Sequence, residues 1–243
     1  MSLDRFGDIA GILFDKDGTL IRYDESWGPV NREAARIAAA GRPELELPLL
    51  RAAGMDPASG HTLADSLFAA GNAAEIAAGF VAAGSPLAIR DLTELLDALF
   101  VRATDYAVPV TDLRTLFSTL KGRGLKLGIA SSDNELSIRQ TAARFEIAEY
   151  VDFVAGYDSG FGPKPEPGMV LGFCAATGLP PTRVAMVGDN NHDMVMGAGA
   201  GALLKIGVLT GTGSRESLQP HADICLDSIA SLVALLPRPG ASV

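Results

Sequence analysis

The chain has 243 residues, 48% of them hydrophobic and 20% charged, and a net charge of −9 with no long run of either sign. That composition suits one large globular domain or two unequal ones, and it argues against nucleic acid or an anionic membrane as partner, since both need a basic face. Two distant cysteines (Cys174, Cys225), an N-terminal stretch without a basic, apolar leader and the absence of any apolar run of about 18 residues point to a cytoplasmic protein with neither disulfide framework, zinc site nor membrane span.

In chain order, "IAGILFD" (9–15) is a short apolar run that ends in a polar turn, as a buried parallel strand does. Between about residues 24 and 105 the character changes. "NREAARIAAAG", "LADSLFAAGNAAEIAAGFVAAG" and "IRDLTELLDALFVRATDYA" read as Ala- and Leu-rich helices broken by Gly and Pro, with no strand among them. Leu113, Leu116, Phe117 and Leu120 then share one helical face, with Gly122 or Gly124 as the stop. From there strands alternate with helices: strands at 125–131, 151–156, 183–189, 202–209 and 222–227, helices at 134–145, 166–178 and after His192, and "SIASLVALL" as a closing helix. The alternation predicts an α/β fold: a doubly wound, Rossmann-like parallel sheet with an inserted all-helical domain after the first strand. The expected core is 1–22 and 108–243, and the helical insertion 23–107. Hinges are expected near Ile21–Asp24 and Tyr106–Thr111.

Ligands of an open parallel sheet bind beyond the carboxyl ends of its strands. Four predicted strand ends carry polar clusters. The first ends in Asp15, Lys16 and Asp17, the second in Ser131, Ser132, Asp133 and Asn134. The third leads through a Gly/Pro-rich loop to Lys164, and the fourth ends in "GDNNHD", with Asp189 and Asp193. Singly, each is ordinary. Asp-x-Asp-Gly is a common turn, Ser-Ser-Asp-Asn is first of all a helix cap, and Lys164 between prolines is an exposed lysine by default. Together they would bring three or more carboxylates, a hydroxyl and an amine to one edge. Clustered carboxylates need a cation, and oxygen ligands without His or Cys favour Mg²⁺. A divalent ion, a hydroxyl and a lysine describe a phosphoryl site.

These residues closely resemble the haloacid dehalogenase superfamily of phosphatases. "DKDGTL" is similar to its first motif, Ser131 to its second, Lys164 to its third and "GDNNHD" to its fourth, in order and over essentially the whole chain. The resemblance implies that Asp15 is the nucleophile and Asp17 the general acid/base. It implies that Ser131, Ser132 and Lys164 hold the phosphoryl group and that Asp15, Asp17 (through its main-chain carbonyl) and Asp189 bind Mg²⁺. Gly18, Thr19 and Asp193 would back these ligands, and the helical insertion would be a cap. Asp17 separates the chain from the dehalogenase branch, which lacks that aspartate, and from P-type ATPases, which have Thr there. No lysine lies between Lys16 and Lys121, so a cap Schiff base is not expected.

The implied function is Mg²⁺-dependent hydrolysis of a small phosphorylated metabolite through an aspartyl-phosphate, with phosphoglycolate as the leading substrate and the protein a monomer or homodimer. The alternatives are a β-phosphoglucomutase-like mutase and a non-enzymatic binding protein on the same fold. "MDPASGHTLADS", with Ser59, His61 and Thr62, is a candidate substrate-facing loop of the insertion. Trp27 reads as packing, Arg22 and Arg51 as surface arginines, "GTGSRE" (211–216) as a flexible loop, and "GAGAG" (197–201) as close helix–sheet packing.

Overall fold

Strand β1 (Gly11–Phe14) lies inside the sheet, not at its edge. In the structure, a computed structural model that describes residues 3–236, it is flanked by β2 (Lys126–Ala130) on one side and β4 (Val184–Gly188) on the other. β3 (Phe153–Ala155) lies outside β2, and β5 (Leu204–Val208) and β6 (Ile224–Leu226) lie outside β4. All six strands are parallel, in the order β3-β2-β1-β4-β5-β6. Alternate residues face opposite layers. Ile12, Phe14, Leu127, Ile129, Ala185 and Val187 join one apolar cluster, while Leu13, Ala130, Val184 and Met186 join another. Both faces are covered, as a parallel sheet requires.

The first cluster is closed by α6 (Leu113–Gly122), α7 (Glu135–Arg144) and, after the one-turn α10 (Arg215–Leu218), the short α11 (Leu232–Leu235); α6, α7 and α11 supply Phe117, Ile138 and Leu232. The second is closed by α8 (Gly168–Thr177) and α9 (Asn191–Ala200), through Phe173 and Met196. Gly197 of α9 fits the expected close packing: a Cβ there would lie 2.9 Å from the Met186 side chain.

Helices α1 (Tyr23–Ala39), α2 (Pro43–Ala52), α3 (Leu67–Ala70), α4 (Ala73–Ala82) and α5 (Ile89–Ala103) bury a third cluster of their own, built on Trp27, Phe68, Phe80, Leu92 and Leu96. Here the structure differs from the periodicity reading. α1 begins at Tyr23 and runs through Gly28 and Pro29, which the reading treated as breakers. α2 was not expected; Pro43 opens it at a position where the missing N–H is not needed. The helical stretch at 63–84 holds two helices divided at Gly71, because Asn72 and Glu75 form a reciprocal capping box that starts α4 afresh. The closing helix has only a 3₁₀ turn (Ile229–Ser231) before α11.

The chain leaves and re-enters the sheet layer side by side. Arg22 N donates to the Val108 carbonyl at 2.8 Å, and Val110 N to that of Leu20 at 3.0 Å. Among the described residues no helix is long and apolar enough to cross a membrane. The ends of the expected core span, 1–2 and 237–243, lie outside the described residues.

Candidate active site

Register assembles the site. Phe14 lies opposite both Ile129 and Val187, so the residues that follow emerge at one edge. Asp15 N donates to the Val187 carbonyl at 2.8 Å, and Ser131 N to that of Ala155 at 3.0 Å. The chain then turns sharply at Gly18, whose φ is +82° and whose missing Cβ would lie 2.5 Å from the Asp189 carboxylate. Only glycine meets both conditions. Thr210 Oγ1 holds this turn by donating to the Gly18 carbonyl at 2.6 Å, and Thr19 is fully buried beneath it.

Lys164 reaches the same place from the loop after β3. Its buried Nζ lies 2.6 Å from Asp15 Oδ1 and 2.6 Å from Asp193 Oδ1. Asp15 Oδ2 is left buried without a hydrogen-bond partner among the described residues. Asp193 is fully engaged, because its Oδ2 accepts from Asn190 N in the capping box of α9. Asp189 Oδ2 accepts from Thr212 N at 2.8 Å. Asp15, Asp189 and Asp193 can each present an oxygen within 4.8 Å of the other two.

Burial is the main influence on these groups. It pushes Asp15 up to about 6, with Lys164 opposing and Asp193 reinforcing. It pushes Asp189 well up, with Asp15 and Asp193 adding repulsion. For Lys164 burial alone would favour the neutral amine, but Asp15 and Asp193 outweigh it and hold the amine charged.

Asp17 is held differently. Its Oδ2 accepts from Ser131 Oγ at 3.3 Å, and its Oδ1 accepts from Trp27 Nε1 of α1 at 2.6 Å. Lys16 Nζ lies 2.9 Å from that same Oδ1 and 2.8 Å from Asp133 Oδ2, with the Trp27 ring centroid 5.3 Å away. Ser137 Oγ also donates to Asp133 Oδ2, at 2.5 Å. Burial, with Asp133 and Asp15 reinforcing and Lys16 opposing, puts Asp17 at about 6. The sequence places Lys16 and Asp133 at these strand ends but assigns neither a role, and Trp27 reads there as packing. A lysine at the end of a buried strand was the available signal, since a fully buried lysine needs a carboxylate partner.

The helical layer roofs the site. Trp27 is not packing alone, because its indole N–H is committed to Asp17. Ser132 lines the cavity, but its hydroxyl donates to the Ala70 carbonyl at 3.0 Å. Asp97 of α5 accepts from Tyr157 Oη at 2.8 Å and from Asn134 Nδ2 at 3.3 Å. The candidate loop at 55–66 does not face the cavity. Ser59 is tied to Asp56 and His61 to Asp24, on a separate outer groove; the segment Phe68–Gly71 lines the site instead. The 211–216 stretch is anchored at Thr212, and Gly211 allows Asp189 to approach so closely that a Cβ there would lie 1.9 Å from its Oδ2. Arg22 is exposed beside Glu25, and Arg51 is exposed.

A family model described as haloacid dehalogenase-like hydrolase matches residues 9–201. The chain belongs to this family. Among curated relatives, the pyrophosphatase PpaX of Bacillus cereus is 29% identical over 132 residues, 52% of this chain and 60% of that protein. The chain spans between half and three fifths of the length of the first such relatives. Among solved structures, CbbY of Rhodobacter sphaeroides in complex with phosphate shares 22% identity, covers 94% of this chain and 99% of its own, and superposes with a TM-score of 0.68. A predicted phosphoglycolate phosphatase of Haemophilus somnus shares 16%, covers 94% and 98%, and gives 0.73. At these identities the two structures establish a shared haloacid dehalogenase-like fold.

The carboxylate set fits the divalent cation that this family implies. Asp15 Oδ2 is orphaned and buried, the donors are all hard oxygens, and burial, reinforced by mutual repulsion, raises the proton affinity of Asp15 and Asp189. The same burial and crowding set a stability prediction for the metal-free protein. Asp15 and Asp17 are raised in the folded state, so their contribution is complete below their unfolded value and is lost as the pH rises through about 6. In chelator, the melting temperature should fall as pH is raised from about 4 to about 7. Over that window the loss should be at most about 3 kcal/mol per carboxylate, and for the set less than the sum, because neighbouring carboxylates titrate together. A flat profile across that window would show that the crowding is relieved in some other way.

Proposed function

We propose that the protein is a Mg²⁺-dependent phosphatase of small phosphate monoesters, acting through a phosphorylated Asp15. The observation that supports it most is the asymmetry of Asp15, which lines the cavity together with Asp17: Lys164 holds one oxygen, and the other is buried and unpartnered among the described residues. A carboxylate fixed in this way is a positioned nucleophile.

In this reading an Asp15 oxygen forms the bond to phosphorus as the ester P–O bond breaks. The leaving oxygen takes its proton from Asp17. Water then attacks the acyl phosphate, gives its proton to Asp17 and releases Asp15 and inorganic phosphate. Asp17 suits both halves, because a group at about 6 can hold or release a proton near neutrality. Ser131 and Lys164 would hold phosphoryl oxygens, with Ser132 beside them. Mg²⁺, held by Asp15, the Asp17 main-chain carbonyl and Asp189, would neutralise charge on the phosphoryl group. Gly18, Thr19 and Asp193 would keep those ligands in place.

Residues 23–107 would act as a cap over a core of 1–22 and 108–243, fastened at Trp27–Asp17, Ser132–Ala70 and Tyr157–Asp97. Closing the site in this way excludes water and places leaving-group contacts. The names of relatives point the same way: PpaX is called a pyrophosphatase, and CbbY was solved with phosphate. Phosphoglycolate satisfies the phosphoryl half of this site as any monoester does. The test is phosphate release from p-nitrophenyl phosphate and from small alkyl phosphates, with Mg²⁺ and with chelator. Saturable, Mg²⁺-dependent release is expected; release indifferent to chelator would overturn the metal assignment, and no release from any of these esters would overturn the reading.

A further inference from the structure

The charge of the cavity lining is lopsided. Five carboxylates line it (Asp15, Asp17, Asp133, Asp189 and Asp193), against one lysine, Lys164, and no arginine among its described lining residues; His192 also lines it, and burial lowers its pKa toward the neutral imidazole. Lys164 is already committed to Asp15 and Asp193 at 2.6 Å each. The remaining buried cation, Lys16, is committed to Asp17 and Asp133 beneath the floor. The roof offers aromatic and apolar surface from Trp27, Phe68, Ile76 and Phe100. Of the arginines on the helical layer, none lines the cavity.

Besides Asp15 Oδ2, three lining residues have a buried polar atom without a hydrogen-bond partner among the described residues: Asn190 (Nδ2) and His192 (Nδ1) on the core side, and Asn31 (Nδ2) on the roof. Asn31 of α1 is 1% exposed and sits beside Tyr23, where its amide opposes the rise that burial gives the Tyr23 hydroxyl. A buried amide donor left unpaired is costly unless something else completes it. Tyr23 cannot offer its proton to a ligand, because its hydroxyl donates to the Phe68 carbonyl. The cavity is small, about 50 Å³, room for about four waters.

We propose that the ester this site takes has a compact, uncharged leaving group, apolar on the side facing Trp27 and Phe100 and carrying a hydroxyl or carbonyl oxygen that accepts from Asn31 Nδ2. This rests on the phosphatase reading above and names the class of substrate within it. A leaving group with its own carboxylate or second phosphate would enter a site that is already rich in negative charge, and no free cation would meet it. Burying an unpaired charge there is far more costly than burying a hydroxyl beside an amide donor. Phosphoglycolate and sugar bisphosphates therefore fit the floor of this cavity but not its roof.

The test compares 2-hydroxyethyl phosphate, propyl phosphate and phosphoglycolate, esters of similar size whose leaving groups are hydroxylated, apolar and anionic. p-Nitrophenyl phosphate serves as the reference for phosphatase chemistry itself. With Mg²⁺ present, kcat/KM for 2-hydroxyethyl phosphate should exceed that for phosphoglycolate by about 100-fold. Asn31→Leu should lower kcat/KM for the hydroxyethyl ester by about tenfold, mainly through KM, and bring it level with propyl phosphate. Phosphoglycolate turned over as well as the hydroxyethyl ester would overturn the charge argument. An Asn31→Leu loss shared equally by hydroxyethyl and propyl esters would overturn the assigned contact. Hydrolysis of p-nitrophenyl phosphate with none of the three alkyl esters accepted would overturn the substrate class and leave the phosphatase reading standing. No hydrolysis of any ester would remove both.

Discussion

Asp15→Asn should lower kcat/KM for p-nitrophenyl phosphate by about 10⁴-fold or more, about 5 kcal/mol in the barrier, without unfolding the protein. The asparagine carbonyl can still accept from Lys164 Nζ, so the 2.6 Å contact that positions the side chain has a replacement. What disappears is the second carboxylate oxygen, the one that is buried and unpartnered. The amide nitrogen that takes its place is not a nucleophile. The same change removes a desolvated charge beside Asp189 and Asp193, so the metal-free variant should melt at or above the wild-type temperature. Lost activity with retained or raised stability is the signature of a group kept for chemistry and not for folding. Near-wild-type turnover would sink the nucleophile assignment, and a collapse in stability would show that the carboxylate is structural.

Lys164→Met should be costly in both respects. The Lys164 side chain is 3% exposed, and its amine bridges Asp15 and Asp193. Removing one partner of a buried ionic set leaves the others uncompensated, at a cost of about 3–5 kcal/mol. For a chain of this size that is a fall of about 10 °C in melting temperature. The deficit should shrink as the pH is lowered, since the stranded carboxylates can take up protons. A double variant, Lys164→Met with Asp193→Asn, should recover part of the stability, because one of the uncompensated charges has gone, yet remain inactive. Additive losses in the double variant would mean that Lys164 and Asp193 do not act as a pair. Retained activity in Lys164→Met would remove the lysine from the phosphoryl site.

The fold class was readable because parallel strands buried on both faces are short apolar runs, and because four of them end in unlike polar clusters. Asp15, Ser131, Lys164 and Asp189 could be named one by one for that reason; what the sequence leaves open is how they meet. The commitment of Lys164 to Asp193 depends on α9 starting where Asn190 caps it. Lys16 and Asp133 are 117 residues apart and pair only because β1 and β2 are neighbours. The roof was least legible. Trp27, Asn31 and Phe68 belong to helices that a periodicity reading sees only as amphipathic, and α1 was hidden further by its internal Pro29. The loop at 55–66, rich in Ser, His and Gly, touches the site's rim only through Asp65, which accepts from Asn191 Nδ2 at 3.1 Å, while the cavity itself is lined by the plain sequence Phe68–Gly71.

The position of β1 between β2 and β4 has a consequence for how the chain assembles. The strand bearing Asp15 is the first to be made, yet one of its two neighbours begins only at Val184. On a ribosome it emerges without a partner on either side, and its left-hand pairing must await residue 126 and its right-hand pairing residue 184. The helical block, with contacts local in sequence and a buried cluster of its own, can condense in that interval. The roof would then be the first part to form, and the floor beneath it would be completed last, by the strand that leads into Asp189 and then by Thr210 and Thr212, which hold Gly18 and Asp189.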